Sequence, residues 1–196
     1  MREDEIEIVE NTTVHDGWTR LSVVVVRLAD GRTVSREVVE RSDAACVLPF
    51  DAERRTALLV RQLRVPVYLA DRRDSLLEAI AGMLDGGEAA DTTRREAMEE
   101  AGLRLGELDF VANAWTSPGT MTERIALYLA PYQARDRVGA GGGLAEEHED
   151  IEVVEMPLDR LAAEVDAGAI ADMKTLVLIQ SLRLRHPALF SPGTAP

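Results

Sequence analysis

"GMLDGGEAADTTRREAMEEAGL", residues 82–103, is the stretch whose reading decides the fold. Its second half predicts a helix from Asp91 or Thr92 to Ala101, with Gly102 placed as the C-terminal stop. On that helix Glu96, Glu99 and Glu100 stand at i, i+3 and i+4, so three carboxylates share one side within about 100° of arc. Like charges at this spacing repel by roughly a few tenths of a kcal/mol per pair. A hard divalent cation turns the repulsion into binding potential, because Mg²⁺ is held by one or two carboxylates plus substrate phosphates. Gly82, Gly86 and Gly87 in the preceding loop let backbone carbonyls approach the same ion. Taken alone, three glutamates with Arg94, Arg95 and Arg104 nearby also describe an exposed helix laced with ion pairs.

The flanks predict strands. "WTRLSVVVVRLADGRTVSREVVE" reads as a hairpin of two β-branched runs joined at Asp30-Gly31. "ACVLPFD" and "TALLVRQLR" form a second pair turning through "DAERR", and "SLLEAIAG" is a short apolar strand ending at Gly82. "LDFVANAW" and "ERIALYLAPY" are strands around the loop "TSPGTMT", and "IEVVEMP" is another. "RDRVGAGGGLAEEHED", with four glycines and clustered acids, predicts a mobile surface loop. "LDRLAAEVDAG" and "DMKTLVLIQSLRLRH" have helical periodicity. The mixture of strands with late helices indicates an α/β or α+β chain, with an N-terminal β extension over 1–44, a main domain over 45–186 and a loose tail over 187–196.

Composition bounds the function. The 196 residues are 46% hydrophobic, enough for a real core. No apolar run reaches the roughly 18 residues of a membrane span, and "MREDEIEIVE" lacks the apolar centre of a secretion signal. The single cysteine, Cys46, excludes an internal disulfide and fits a reducing cytoplasm. A net charge of −13 argues against a nucleic-acid partner, which demands basic patches. It leaves room for a small anion where metal ions and local arginines invert the field.

Gly82, Glu88, Arg95, Glu96, Glu99, Glu100, Gly102 and Leu103 resemble the Nudix box: a glycine, five residues, a glutamate, a spacer, then Arg-Glu-x-x-Glu-Glu-x-Gly and an aliphatic residue. The spacer between Glu88 and Arg95 holds six residues where the usual pattern has seven. That shortening resembles one branch, the GDP-mannose hydrolases. "SREVVE", "VRQLRVPVY", "SPGTMTE", "AGGGLAEEHEDIEV" and "AGAIADMKTLVL" resemble the same branch, extending the likeness over roughly residues 15–185. It implies a Nudix α/β/α sandwich with a mixed sheet and an N-terminal antiparallel β-hairpin extension.

The resemblance further implies metal-dependent hydrolysis of the diphosphate of a nucleoside diphosphate sugar, GDP-mannose giving GMP and mannose 1-phosphate, with Mg²⁺ or Mn²⁺. The implied metal ligands are Glu96, Glu99, Glu100, the backbone carbonyl of Ala81 and a glutamate of the acidic loop. That loop offers Glu146, Glu147 and Glu149, and anchoring on "EDIEV" selects Glu149. Glu100 and Glu149 are the two candidates for general base, and Glu88 orients the loop through Arg95. Trp18, Arg36, Glu37, Arg64, Glu123 and Lys174 match substrate-contacting positions, although the lysine the branch carries before Arg36 is Ser35 here. A homodimer is implied, with the hairpin of one subunit reaching the site of the other. Two rival readings are an ADP-ribose pyrophosphatase and a nucleotide-sensing domain that does no chemistry; intact metal carboxylates speak against the sensor.

Overall fold

The computed structural model describes residues 6–144 and 150–191. The chain divides into two compact units, one of residues 1–43 with 114–125, the other of residues 44–113 with 126–196.

In the first unit, β1 (Glu7–Asp16), β2 (Arg20–Arg27) and β3 (Thr33–Glu40) form an antiparallel sheet in that order. The β2–β3 hairpin turns at Asp30-Gly31, where Gly31 adopts φ +82° and Gly31 N–H donates to Leu28 O at 2.9 Å. Its register sets Val23 opposite Glu37 and Val24 opposite Arg36. The sequence reading has only this hairpin; β1 is added to it. Every residue of β1 is exposed, so the strand carries no apolar alternation by which it could be recognised. The loop between β8 and β9 (ranges below) belongs to this unit. It is laced to β3 by Val39 N–H donating to Thr120 O at 2.8 Å and Thr122 N–H donating to Val39 O at 3.0 Å.

The second unit contains β4 (Ala44–Asp51), β5 (Thr56–Gln62), α1 (Val65–Asp71), β6 (Leu76–Glu78), β7 (Ile80–Met83), α2 (Ala89–Ala101), most of β8 (Asp109–Trp115) and β9 (Arg124–Pro131), then β10 (Glu152–Pro157), α3 (Leu158–Asp166) and α4 (Met173–Arg185). The mixed sheet runs β10-β5-β4-β9-β8, with β6 also paired to β5 and β7 to β4. Every residue of β4 is buried, which requires cover on both faces; α2 and α4 both pack on it. Val47, Leu58, Val60 and Ile80 of the sheet close a core with Ala97 and Ala101 of α2.

"SLLEAIAG" is two strands rather than one, changing partner at Ala79, whose N–H donates to Thr175 Oγ1 at 2.6 Å. Helix α2 starts at Ala89, ahead of the predicted Asp91, and stops at Gly102 with φ +61°. A Cβ at Gly102 would lie 2.3 Å from Gly139 O, so close approach as well as φ requires glycine. The glycines of the expected mobile loop are docked on this helix end, Gly142 N–H donating to Glu100 O at 2.9 Å and Gly143 N–H to Glu99 O at 3.2 Å, while the loop's residues 145–149 lie outside the described residues. Free carbonyls of a helix's last turn need such donors. Of the terminal segment, Pro187–Leu189 form a 3₁₀ turn held by Arg55, whose Nε donates to Leu189 O at 2.9 Å. Among the described residues no helix is long and apolar enough to cross a membrane.

Candidate active site

Helix α2 projects its acidic side next to β7. Glu100 is 2% exposed, whereas Glu96 and Glu99 are partly open. Glu96 lies directly over Gly82: a Cβ there would fall 2.0 Å from Glu96 Oε1 and 2.1 Å from its Cδ. Gly82 is therefore the cradle for this carboxylate. Ala81, the expected carbonyl ligand, precedes it in β7 and pairs with Cys46 of β4. Arg95 joins the set, with Nη2 at 2.8 Å from Glu96 Oε1 and Nη1 donating to Glu99 Oε2 at 2.9 Å. Its partner in the preceding loop is Asp85, at 3.7 Å, and not Glu88 as the sequence reading has it. Glu88 caps α2 through its backbone carbonyl, which accepts from Asp91 and Thr92 N–H, while Arg95 is taken up by Asp85, Glu96 and Glu99.

A second cluster joins two other expected residues. Arg64 grips Glu78 in a fork, Nε donating at 2.6 Å and Nη2 at 3.1 Å, and Lys174 Nζ donates to the same carboxylate. Lys174 also donates to Asp172 Oδ1 at 3.0 Å, and Asp172 caps α4 by accepting from Thr175 N–H at 3.0 Å. Glu78 is 2% exposed. Burial opposes its ionisation, but the hydrogen bonds and charges of Arg64 and Lys174 outweigh burial and hold the carboxyl below the usual range. Burial likewise works against the Lys174 ammonium, and Glu78 and Asp172 more than compensate, raising its pKa. Burial pushes up the nearby Cys46 thiol, which stays neutral. The positive charge of Arg64 is within electrostatic reach of Glu100, so the cationic cluster and the acidic helix sense one another.

Glu78 and Asp172 escape the sequence reading. A glutamate inside the apolar "SLLEAIAG" is itself a signal, since a charge seldom enters a strand core without a partner. Asp172, three residues before Thr175, is a legible N-cap.

Trp18, Arg36, Glu37 and Glu123 fall in the other compact unit. Arg36 and Glu37 are exposed on β3, and Arg36 Nη1 donates to Ser35 O at 2.8 Å. Trp18 and Glu123 are linked by Arg41, a residue the sequence reading does not single out. The Arg41 guanidinium lies 4.1 Å from the Trp18 ring centroid, and its Nε is 3.6 Å from Glu123 Oε1.

The donor set on α2 suits a hard cation: carboxylate oxygens along one helix side, with no soft ligand among them. The Gly82 cradle keeps the Glu96 carboxylate against that strand. Among the described residues no three acidic, imidazole or thiol groups converge as a finished cage, and Arg95 spans Glu96 and Glu99. Glu149, with Glu146 and Glu147, lies outside the described residues. The chain on either side of them is tied to one place: Gly143 to α2, and Ile151 N–H donating to Gly142 O at 3.3 Å.

The NUDIX domain family model matches residues 40–176. A GDP-mannose pyrophosphatase of Cronobacter sakazakii is 37% identical over 185 residues, covering 92% of this chain and 96% of that one. One from Pectobacterium atrosepticum is 38% identical over 185 residues, covering 92% and 95%. One from Escherichia coli is 34% identical over 187 residues, covering 93% and 97%. The crystal structure of an ADP compounds hydrolase superposes with a TM-score of 0.75 at 16% identity, covering 94% of this chain and 95% of that one, a likeness of fold. With its box laid along β7 and α2, its sheet covered on both faces and these relatives matched almost end to end, the chain belongs to the Nudix family of hydrolases.

Proposed function

We propose that this protein hydrolyses GDP-mannose to GMP and mannose 1-phosphate with Mg²⁺ or Mn²⁺, as a cytoplasmic homodimer. The observation that carries the reading is the buried Glu100 beside Glu96 seated on Gly82. It stands in a chain 37% identical to a GDP-mannose pyrophosphatase along nearly its whole length. The residues that would hold the ion are Glu96, Glu99, Glu100, the Ala81 carbonyl and Glu149. A divalent ion bound there would neutralise charge on the diphosphate and lower the pKa of the attacking water.

The chain's own groups supply the rest. Arg64, fixed by two bonds to Glu78, keeps further N–H donors of the same fork for phosphate oxygens. Lys174 adds a compact positive charge beside it. Glu100 or Glu149 accepts the proton of the attacking water. Trp18 offers a ring on which a nucleobase stacks, worth about 1–3 kcal/mol, while Arg36, Glu37 and Glu123 contact the nucleotide sugar. In the proposed dimer these four come from one protomer and the metal carboxylates from its partner. Ile8, Val9 and Val14, apolar and exposed on β1, support an assembly surface there.

The test is a product-resolved incubation of GDP-mannose with Mg²⁺. GMP and mannose 1-phosphate should accumulate in equal amounts and stop on chelation. Release of free phosphate, or products indifferent to chelation, would refute the proposal.

A further inference from the structure

We propose that Arg41 is a positioning residue that holds the Trp18 ring as a nucleobase platform, with Glu123 holding Arg41 in turn. The inference rests on the reading that Trp18 meets the base. Trp18 sits in the turn between β1 and β2 and is 80% exposed, so little burial holds its ring. A ring that must be ordered by the incoming base binds it more weakly than one already held.

Arg41 supplies the hold. It follows β3 directly and is clamped at its backbone: its N–H donates to Thr122 Oγ1 at 3.0 Å, and its carbonyl accepts from the same hydroxyl at 3.2 Å. Its side chain is partly buried, with Nε 3.6 Å from Glu123 Oε1 and the guanidinium 4.1 Å from the Trp18 centroid. Residues 120–122 are bonded to Val39, so Glu123 projects from a braced segment rather than a free loop. Arg41 thus covers one face of the indole with a cation and leaves the 80% exposed ring open for a base on the other. Beside its contact with the nucleotide sugar, Glu123 thus has a second role, holding Arg41 against the ring.

The experiment is a double-mutant cycle of Arg41→Met with Trp18→Ala, read as KM and kcat for GDP-mannose, with Arg41→Lys as the conservative variant. It is accompanied by steady-state anisotropy of Trp18 in a Trp115→Phe background without substrate. Arg41→Met should raise KM roughly two- to fivefold, the range of a single cation–π pair, with a smaller change in kcat. In the Trp18→Ala background the same change should leave KM unaltered. Arg41→Lys should recover part of the loss, and Arg41→Met should lower Trp18 anisotropy. A KM effect that persists without Trp18, or an anisotropy unmoved by Arg41→Met, overturns the inference. Wild-type protein inactive on GDP-mannose overturns the substrate reading instead, and the anisotropy then decides the hold on the ring by itself.

Discussion

Replacing Gly82 by alanine is the sharpest perturbation the site offers. Ordinary van der Waals contact begins at about 3.4 Å, and the new Cβ would meet Glu96 Oε1 at 2.0 Å, so the carboxylate must retreat by about 1.4 Å, the difference of the two. The retreating atoms are the far end of a flexible side chain, and Gly82 does not have positive φ, so the fold yields cheaply. A stability loss below about 1 kcal/mol lowers the melting temperature by roughly 2–4 °C in a chain of this size. Catalysis has no such tolerance: a misplacement of about 1 Å can reduce a rate by around a hundredfold. Gly82→Ala should therefore melt within a few degrees of wild type and lose at least about a hundredfold in kcat. The half-saturating Mg²⁺ concentration should rise. The assay is initial-rate GMP release across a Mg²⁺ titration, beside a thermal melt. A variant that folds normally and keeps more than a third of wild-type activity would refute the reasoning, because Glu96 over Gly82 would then hold nothing the reaction uses.

Glu100→Gln should lower the rate at least about a hundredfold, whereas Glu107→Gln, exposed beyond the helix, should be nearly silent in the same assay. Glu78→Gln leaves Arg64 and Lys174 without their shared carboxylate. Urea unfolding should show a loss on the order of 2–3 kcal/mol, less than for a fully enclosed pair because Arg64 is 41% exposed. The folded pKa of Glu78 lies below its ordinary 4.5, so its stabilisation is present above that pH and fades as pH falls through the folded value. Melts from pH 6 downward should be steeper for wild type than for Glu78→Gln. Mixing inactive Arg36→Ala with inactive Glu100→Gln should restore activity after subunit exchange; a monomer in solution scattering would exclude this.

How far the site was legible follows from how locally each part is encoded. The α2 carboxylates, the Gly102 stop and the Asp30-Gly31 turn rest on spacings within a few residues, and each stands where the sequence places it. The partners of Arg64 and Lys174 do not: Glu78 is 96 residues from Lys174, and only the fold brings them together. Helix α1 was hidden because "VPVYLAD" is rich in β-branched and aromatic residues and buries none of them. Its start is set by Pro66 near the N-terminus, a position where the missing N–H is harmless. The docking of the glycine loop on α2 was hidden for a different reason: glycine signals freedom locally, and here that freedom serves close contact with a helix end.

The central claim is a Nudix site tuned to a guanosine diphosphate sugar, and substrate preference tests it most directly. A site that pairs buried polar groups with the guanine edge rejects adenine strongly, because those groups are otherwise left unsatisfied. The measurement is kcat/KM for GDP-mannose and for ADP-ribose, each with Mg²⁺ and with chelator. GDP-mannose should be favoured and both activities should vanish on chelation. ADP-ribose turned over ten times more efficiently than GDP-mannose would contradict it.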